Sequence, residues 1–308
     1  MSARPPVFAV APSAQAPPVH ETPAGGRPRR EHRRRWRTAL LLLPALGFLA
    51  VFFVYPMLGI LARSFTGAHG FTLANYVSVV KDPIYPKIFG LTFEIAFTVT
   101  VVTLFLSYPL AYKLSTVSGP LAAVLMALVL VPFFTDLLVR TFSWMVILGR
   151  DGLVNLLLSK FGIGPVQLLY NRAGVLIGMT YALLPYMVLT LYSVMRGIDR
   201  RLLQAAGNLG ANEWQAFRRV FLPLSLPGVF GGSLLVFVLA LGYFVTPRLM
   251  GGTHDQMISM VIENQVEMAL DVNLASSLAV LLLALTLVGF VLYDRIVGLR
   301  SLFESKIS

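Results

Sequence analysis

Glu94, Asp136 and Arg140 stand in stretches that are otherwise apolar. An ionised side chain in such surroundings faces a cavity or a partner, because hydrocarbon does not solvate it. Asp136 and Arg140 are four residues apart, a spacing that puts both on one helix face and lets them neutralise each other as structural glue. Glu94 has no such local partner, which makes it a candidate for a substrate pathway, with Asp136 as the second acidic candidate. Trp144 and Tyr243 offer ring faces to a cation, or serve as packing and interface anchors. Glu263, Glu267 and Asp271 recur every four residues, so one helix face would carry all three; it is solvated, attracts a cation or docks a partner.

Other chemistry is excluded. The chain has no cysteine, and its histidines (20, 32, 69 and 254) fall in tails or loops, so an intramembrane metal site lacks ligands. No glycine loop ending in Lys-Ser or Lys-Thr is present to cradle a nucleotide phosphate. The chain is therefore expected to bind no cofactor or metal of its own and to catalyse no reaction.

The elements that must position these residues are membrane helices. Of 308 residues, 56% are hydrophobic and only 13% charged, about half the charge of a soluble domain. Apolar runs long enough to cross a bilayer occur at about 39–62, 90–113, 121–142, 173–195, 224–247 and 274–294. The third is the least clean, because apolar character continues to Leu148; it reads as one span followed by a short surface helix. The expected class is an all-α polytopic membrane protein with six transmembrane helices.

The net charge of +11 does not imply nucleic acid. Seven arginines lie in 27–37, just before the first run, which is the positive-inside signature of a cytoplasmic N-terminus. With both termini inside, the cytoplasmic parts (counting Asp294 at the inner end of the last span) hold 17 of the 25 basic and 6 of the 14 acidic residues. The remainder balances to zero, as the rule requires. Residues 1–38 are expected to form a disordered basic cytoplasmic tail. Residues 39–308 form the transmembrane domain, its first run a retained span rather than a signal peptide.

One polar stretch does not fit a minimal loop. "LLQAAGNLGANEWQAFRRVFLP" (202–223) separates two apolar runs where a short turn would suffice. Gly210 suits the left-handed position that ends one helix, and Asn212 is a good cap for the next. Trp214, Phe217 and Phe221 follow at spacings of three and four, and Leu222-Pro223 is expected to stop the second helix. Ala205, Ala206, Gly207 and Gly210 keep one surface low, so another surface can approach the backbone. On these grounds the stretch is an amphipathic hairpin lying on lipid headgroups or a docking surface for a protein.

The pattern Gln204-Ala205-Ala206, three residues, Gly210, nine residues, Val220-x-Leu222-Pro223 resembles the signature loop of ABC importer permeases. In that family it reads Glu-Ala-Ala-x3-Gly-x9-Ile-x-Leu-Pro and lies between the same spans. The spacing agrees throughout; Gln204 replaces the usual Glu, and with it any ion pair that charge makes, while Val220 replaces Ile. "FTLANYVSVVKDP", "RTFSWMVILGRDGLVN", "ALLPYMVLTLYSVMRGIDRR" and "LMGG" are similar to permeases of the spermidine/putrescine type. From about residue 39 the resemblance implies the type I importer permease fold, in the inner membrane, with 196–223 as the loop that couples to an ATPase. It implies a dimer of ATPase subunits carrying ATP and Mg, a second related permease, an extracytoplasmic substrate-binding protein and a small-molecule solute. Polyamines are the expected solute; iron, thiosulfate and amino-acid-like solutes share the scaffold, and an ion-gradient carrier or a non-transporting scaffold are the rival classes.

Overall fold

The computed structural model describes residues 43–67 and 70–297. The expected basic tail, 1–38, lies outside the described residues. The chain divides into two units at Pro56 and Met57. Helix α1 (Leu43–Ser64) contains a wide π turn at Ala50–Val54, and in the first unit Phe48 and Phe52 pack one turn apart at 4.6 Å.

In the second unit a two-stranded hairpin, β1 (Thr66–Gly67) and β2 (Gly70–Phe71), leads into helices α2 (Ala74–Lys81), α3 (Ile84–Thr116), α4 (Pro120–Phe134), α5 (Leu137–Leu148) and α6 (Leu153–Ser159). These are followed by α7 (Arg172–Arg196), α8 (Arg200–Asn208), α9 (Glu213–Leu241), α10 (Val245–Met250), α11 (Ile258–Glu267) and α12 (Val272–Val297). Six stretches among the described residues are long and apolar enough to cross a membrane.

The core is a packed trio of α3, α7 and α9. Ile95 and Val99 of α3 meet Met179, Leu183, Met187 and Leu191 of α7 and Val236 and Ala240 of α9, all fully buried. Small residues permit the approach. A Cβ at Gly232 would lie 2.8 Å from Met187 Sδ, and one at Gly228 would lie 3.0 Å from Val194 Cβ. Gly232→Leu is therefore expected to force α7 and α9 apart at a cost of about 1–3 kcal/mol. A lower midpoint in heat-then-chromatography of the detergent-solubilised protein would show it.

Four expected boundaries are corrected. The third span does not run unbroken over 121–142. Thr135 and Asp136 take extended backbone angles, and the Asp136 carboxylate accepts from Leu138 N at 2.8 Å and Val139 N at 3.3 Å, starting a new helix. At about 22 Å, α4 is shorter than the hydrocarbon core, and the long apolar stretch in this part of the chain is Leu137–Ser159, α5 and α6 together. The second span is longer than 90–113: α3 has 33 residues, about 50 Å, and projects beyond the bilayer core. Leu222-Pro223 does not end a helix. A π turn at Phe217–Phe221, closed by Leu222 N to Phe217 O, precedes Pro223, and the helix continues to Leu241. The wide turn shifts the hydrogen-bond register just where a proline without an N–H would otherwise interrupt it. The expected fifth span, 224–247, therefore ends early: α9 stops at Leu241, capped by Gly242, and residues 245–247 belong to α10.

Candidate functional site

The 200–223 segment folds as a hairpin whose two ends are anchored differently. Asp199 caps α8, its carboxylate accepting from Arg201 N at 2.9 Å. Gly210 sits at φ +87°, the left-handed conformation in which a side chain is strained. Asn212 and Gln215 then form a reciprocal capping box at 2.8 and 3.1 Å, which starts α9.

The aromatic stripe docks this hairpin on the end of α3. Trp214, Phe217 and Phe221 stack in sequence with centroids 5.7 and 5.9 Å apart. Tyr112 presents an edge to Phe217 at 5.5 Å and to Phe221 at 4.9 Å, and Tyr108 packs edge-on against Phe217 at 6.3 Å. The Tyr108 hydroxyl is 2.8 Å from Ser225 Oγ, and Arg200 Nη2 donates to Ser115 O at 2.7 Å. The hairpin is thus continuous with α9, joined to α7 through residues 197–199 and pinned to α3. Those are the three helices of the core.

The signature positions divide between two sides. Ala206, Val220 and Leu222 are half-buried toward the rest of the chain. Gln204, Ala205, Gly210 and Pro223 are exposed, as are Gly207 and Leu209, the latter 89% accessible. A Cβ at Gly207 or Gly210 would meet nothing within 4 Å among the described residues, so packing within this chain does not demand small residues there.

The intramembrane charges are arranged differently from expectation. Asp136 and Arg140 form no ion pair among the described residues, because the Asp136 carboxylate is spent on capping α5. Arg140 instead turns toward Trp144, Tyr181 and Thr246, which line a small cavity with it, and its Nε is buried without a hydrogen-bond partner among the described residues. Trp144 packs edge-on to Tyr181 at 5.2 Å, and Tyr243 lies within electrostatic reach of Arg140. Trp144 and Tyr243 both adjoin Arg140, whereas Asp136 stays at the start of α5 and Glu94 belongs elsewhere.

Glu94 has a partner after all. Arg172 Nη2 is 2.7 Å from its Oε1, a contact between α3 and the first residue of α7 that sequence spacing does not reveal. A cation at a helix N-terminus opposes the helix dipole, and the Glu94 carboxylate offsets that cost. Arg172 is the first residue of its span, so the pair sits at a span end within reach of water, and with side chains 61% (Glu94) and 39% (Arg172) exposed it is worth little. A double-mutant cycle of Glu94→Gln and Arg172→Gln is expected to give a coupling energy below about 1 kcal/mol in thermal unfolding.

The acidic face at 263–271 is also corrected. Helix α11 ends at Glu267, and Asp271 instead accepts from Leu274 N at 2.9 Å, capping α12. Glu263 is ion-paired with Arg248 of α10. Sequence reasoning missed Arg172 and Arg248 as partners because both contacts are made between helices.

Residues 104–299 match the family described as "binding-protein-dependent transport system inner membrane component". The chain is 36% identical over 234 residues to the spermidine/putrescine transport system permease protein PotB of Haemophilus influenzae, covering 75% of this chain and 79% of that protein. A bacterial ABC transporter involved in import of the acidic polysaccharide alginate superposes with a TM-score of 0.70 at 18% identity, over 88% of this chain and 98% of that one. The alginate transporter in complex with an alginate-bound periplasmic protein gives 0.69 at 19% identity, over 88% and 97%. The likeness to both structures establishes the type I importer permease fold. This multi-pass chain belongs to the binding-protein-dependent transport system inner membrane component family, the permeases of ABC importers.

Proposed function

We propose that this chain carries polyamines, putrescine or spermidine, across the inner membrane as one of two related permeases working with a dimer of ATPase subunits and an extracytoplasmic binding protein. The observation that carries the solute assignment is its 36% identity, over three quarters of the chain, to a permease named for spermidine and putrescine. As a permease component it is a transport subunit and not an enzyme. ATP and Mg belong to the ATPase.

The mechanism is alternating access. ATP draws the ATPase dimer together, the exposed face of α8 follows, and its anchors carry that displacement into α3, α7 and α9 at once. The translocation pathway then opens outward to receive solute from the binding protein. Gln204, Ala205, Ala206, Gly210, Val220, Leu222 and Pro223 form the coupling element, the exposed members touching the ATPase and the half-buried ones seating the hairpin. The arginine distribution supports a cytoplasmic location for this hairpin and for both termini.

Trp144 and Tyr243 supply ring faces on the pathway, with Asp136 and Glu94 toward its outer side. The test is uptake by the reconstituted four-component importer, offered labelled putrescine, spermidine and ferric iron separately. ATP-dependent accumulation of a polyamine is the expected result. Accumulation of iron alone would reassign the solute, and accumulation driven by an ion gradient without ATP would reassign the class.

A further inference from the structure

A cavity of about 440 Å³ opens beside the coupling hairpin, lined by Tyr108, Pro109, Tyr112, Glu213, Trp214 and Phe217. Four of its six lining residues are aromatic, and Glu213 is the one charged residue among them. Trp214 and Phe217 lie nearly parallel, at 22°, while Tyr108 and Tyr112 stand at 86° and 83° to Phe217. The cavity therefore has aromatic walls set almost at right angles to each other. The Tyr108 hydroxyl is engaged by Ser225, so that ring presents its body and not its polar tip. Trp214 is 65% accessible, and neither Arg218 nor Arg219 lines the space. Glu213 makes no side-chain hydrogen bond or ion pair among the described residues, since Asn212 and Gln215 do the capping.

Perpendicular π faces with one carboxylate are the chemistry that recognises an alkylammonium ion: the rings attract the cation through their quadrupoles, and the acid balances its charge. An anion would be repelled by Glu213, and a neutral apolar chain would draw nothing from that charge. We propose that this cavity is a cytoplasmic-side binding site for an alkylammonium cation, separate from the translocation pathway. It rests on the polyamine and orientation readings above for the identity of its natural ligand, the imported polyamine after release. It sits on the aromatic joint between α3 and α9, so its occupant touches the element that moves during transport.

The test uses the full complex in nanodiscs with 5-fluorotryptophan in this chain, the Trp214 fluorine resonance being assigned by its loss in Trp214→Phe. Putrescine is the probe, with sodium chloride at equal ionic strength as control. A saturable shift of that resonance with putrescine only, weakened about tenfold by Glu213→Gln, is the expected result. No saturable shift, or one equally strong in Glu213→Gln or reproduced by salt, overturns the site. If solute uptake proves to be iron while Trp214 still responds to putrescine, the site stands and the polyamine transport reading falls. If putrescine is imported and Trp214 is silent, the site falls and the transport reading stands.

Discussion

Ala205→Glu is expected to abolish association with the ATPase while leaving insertion and folding of the permease intact. Ala205 is exposed in the middle of α8, and glutamate is a good helix former, so the hairpin itself tolerates the change. At a docked interface the new carboxylate would be desolvated without a partner, at about 2–5 kcal/mol, or a thirtyfold or greater loss of affinity. Co-purification of the ATPase with tagged permease measures it directly. Ala205 is a cleaner test than Gly210, where φ is +87° and any side chain adds backbone strain of its own. Normal co-purification and transport in Ala205→Glu would remove the coupling role from this face.

Phe217→Ala is expected to separate ATP hydrolysis from transport. Phe217 contacts Trp214, Phe221, Tyr108 and Tyr112, and each aromatic pair contributes about 0.5–1.5 kcal/mol. Without its ring the hairpin keeps its outer face but loses its grip on α3. The ATPase should still bind and turn over within about twofold of the normal rate, while solute uptake falls tenfold or more. A proportional fall in both rates would show that the stack serves folding rather than transmission.

The hairpin was legible from residue types because its determinants are local. Gly210, Asn212 and the 214–217–221 stripe act within a few residues of one another, so spacing reveals the turn, the cap and the sticky face. Pro223 misled for the same reason. Proline ends a regular helix, but a π turn just before it absorbs the missing donor, and nothing in the residues 217–221 announces that turn. The charges were the least legible. A four-residue spacing suggests an Asp136–Arg140 pair, yet the helix is interrupted at 135–136 and the aspartate prefers two backbone N–H groups. Glu94 found Arg172, and Glu263 found Arg248, across helix interfaces that no local pattern encodes.

The central claim is that the exposed face of α8 lies against an ATP-hydrolysing subunit. The natural chain contains no cysteine, so a single Ala205→Cys can be labelled with a benzophenone photocrosslinker without background from this chain. Irradiating membranes that hold the intact complex and identifying the adducts by mass spectrometry gives a direct reading. The expected product is a covalent link from position 205 to the ATPase, whose yield changes when ATP is added. Links to lipid alone, or to the ATPase from lipid-facing control positions as readily as from 205, would contradict it.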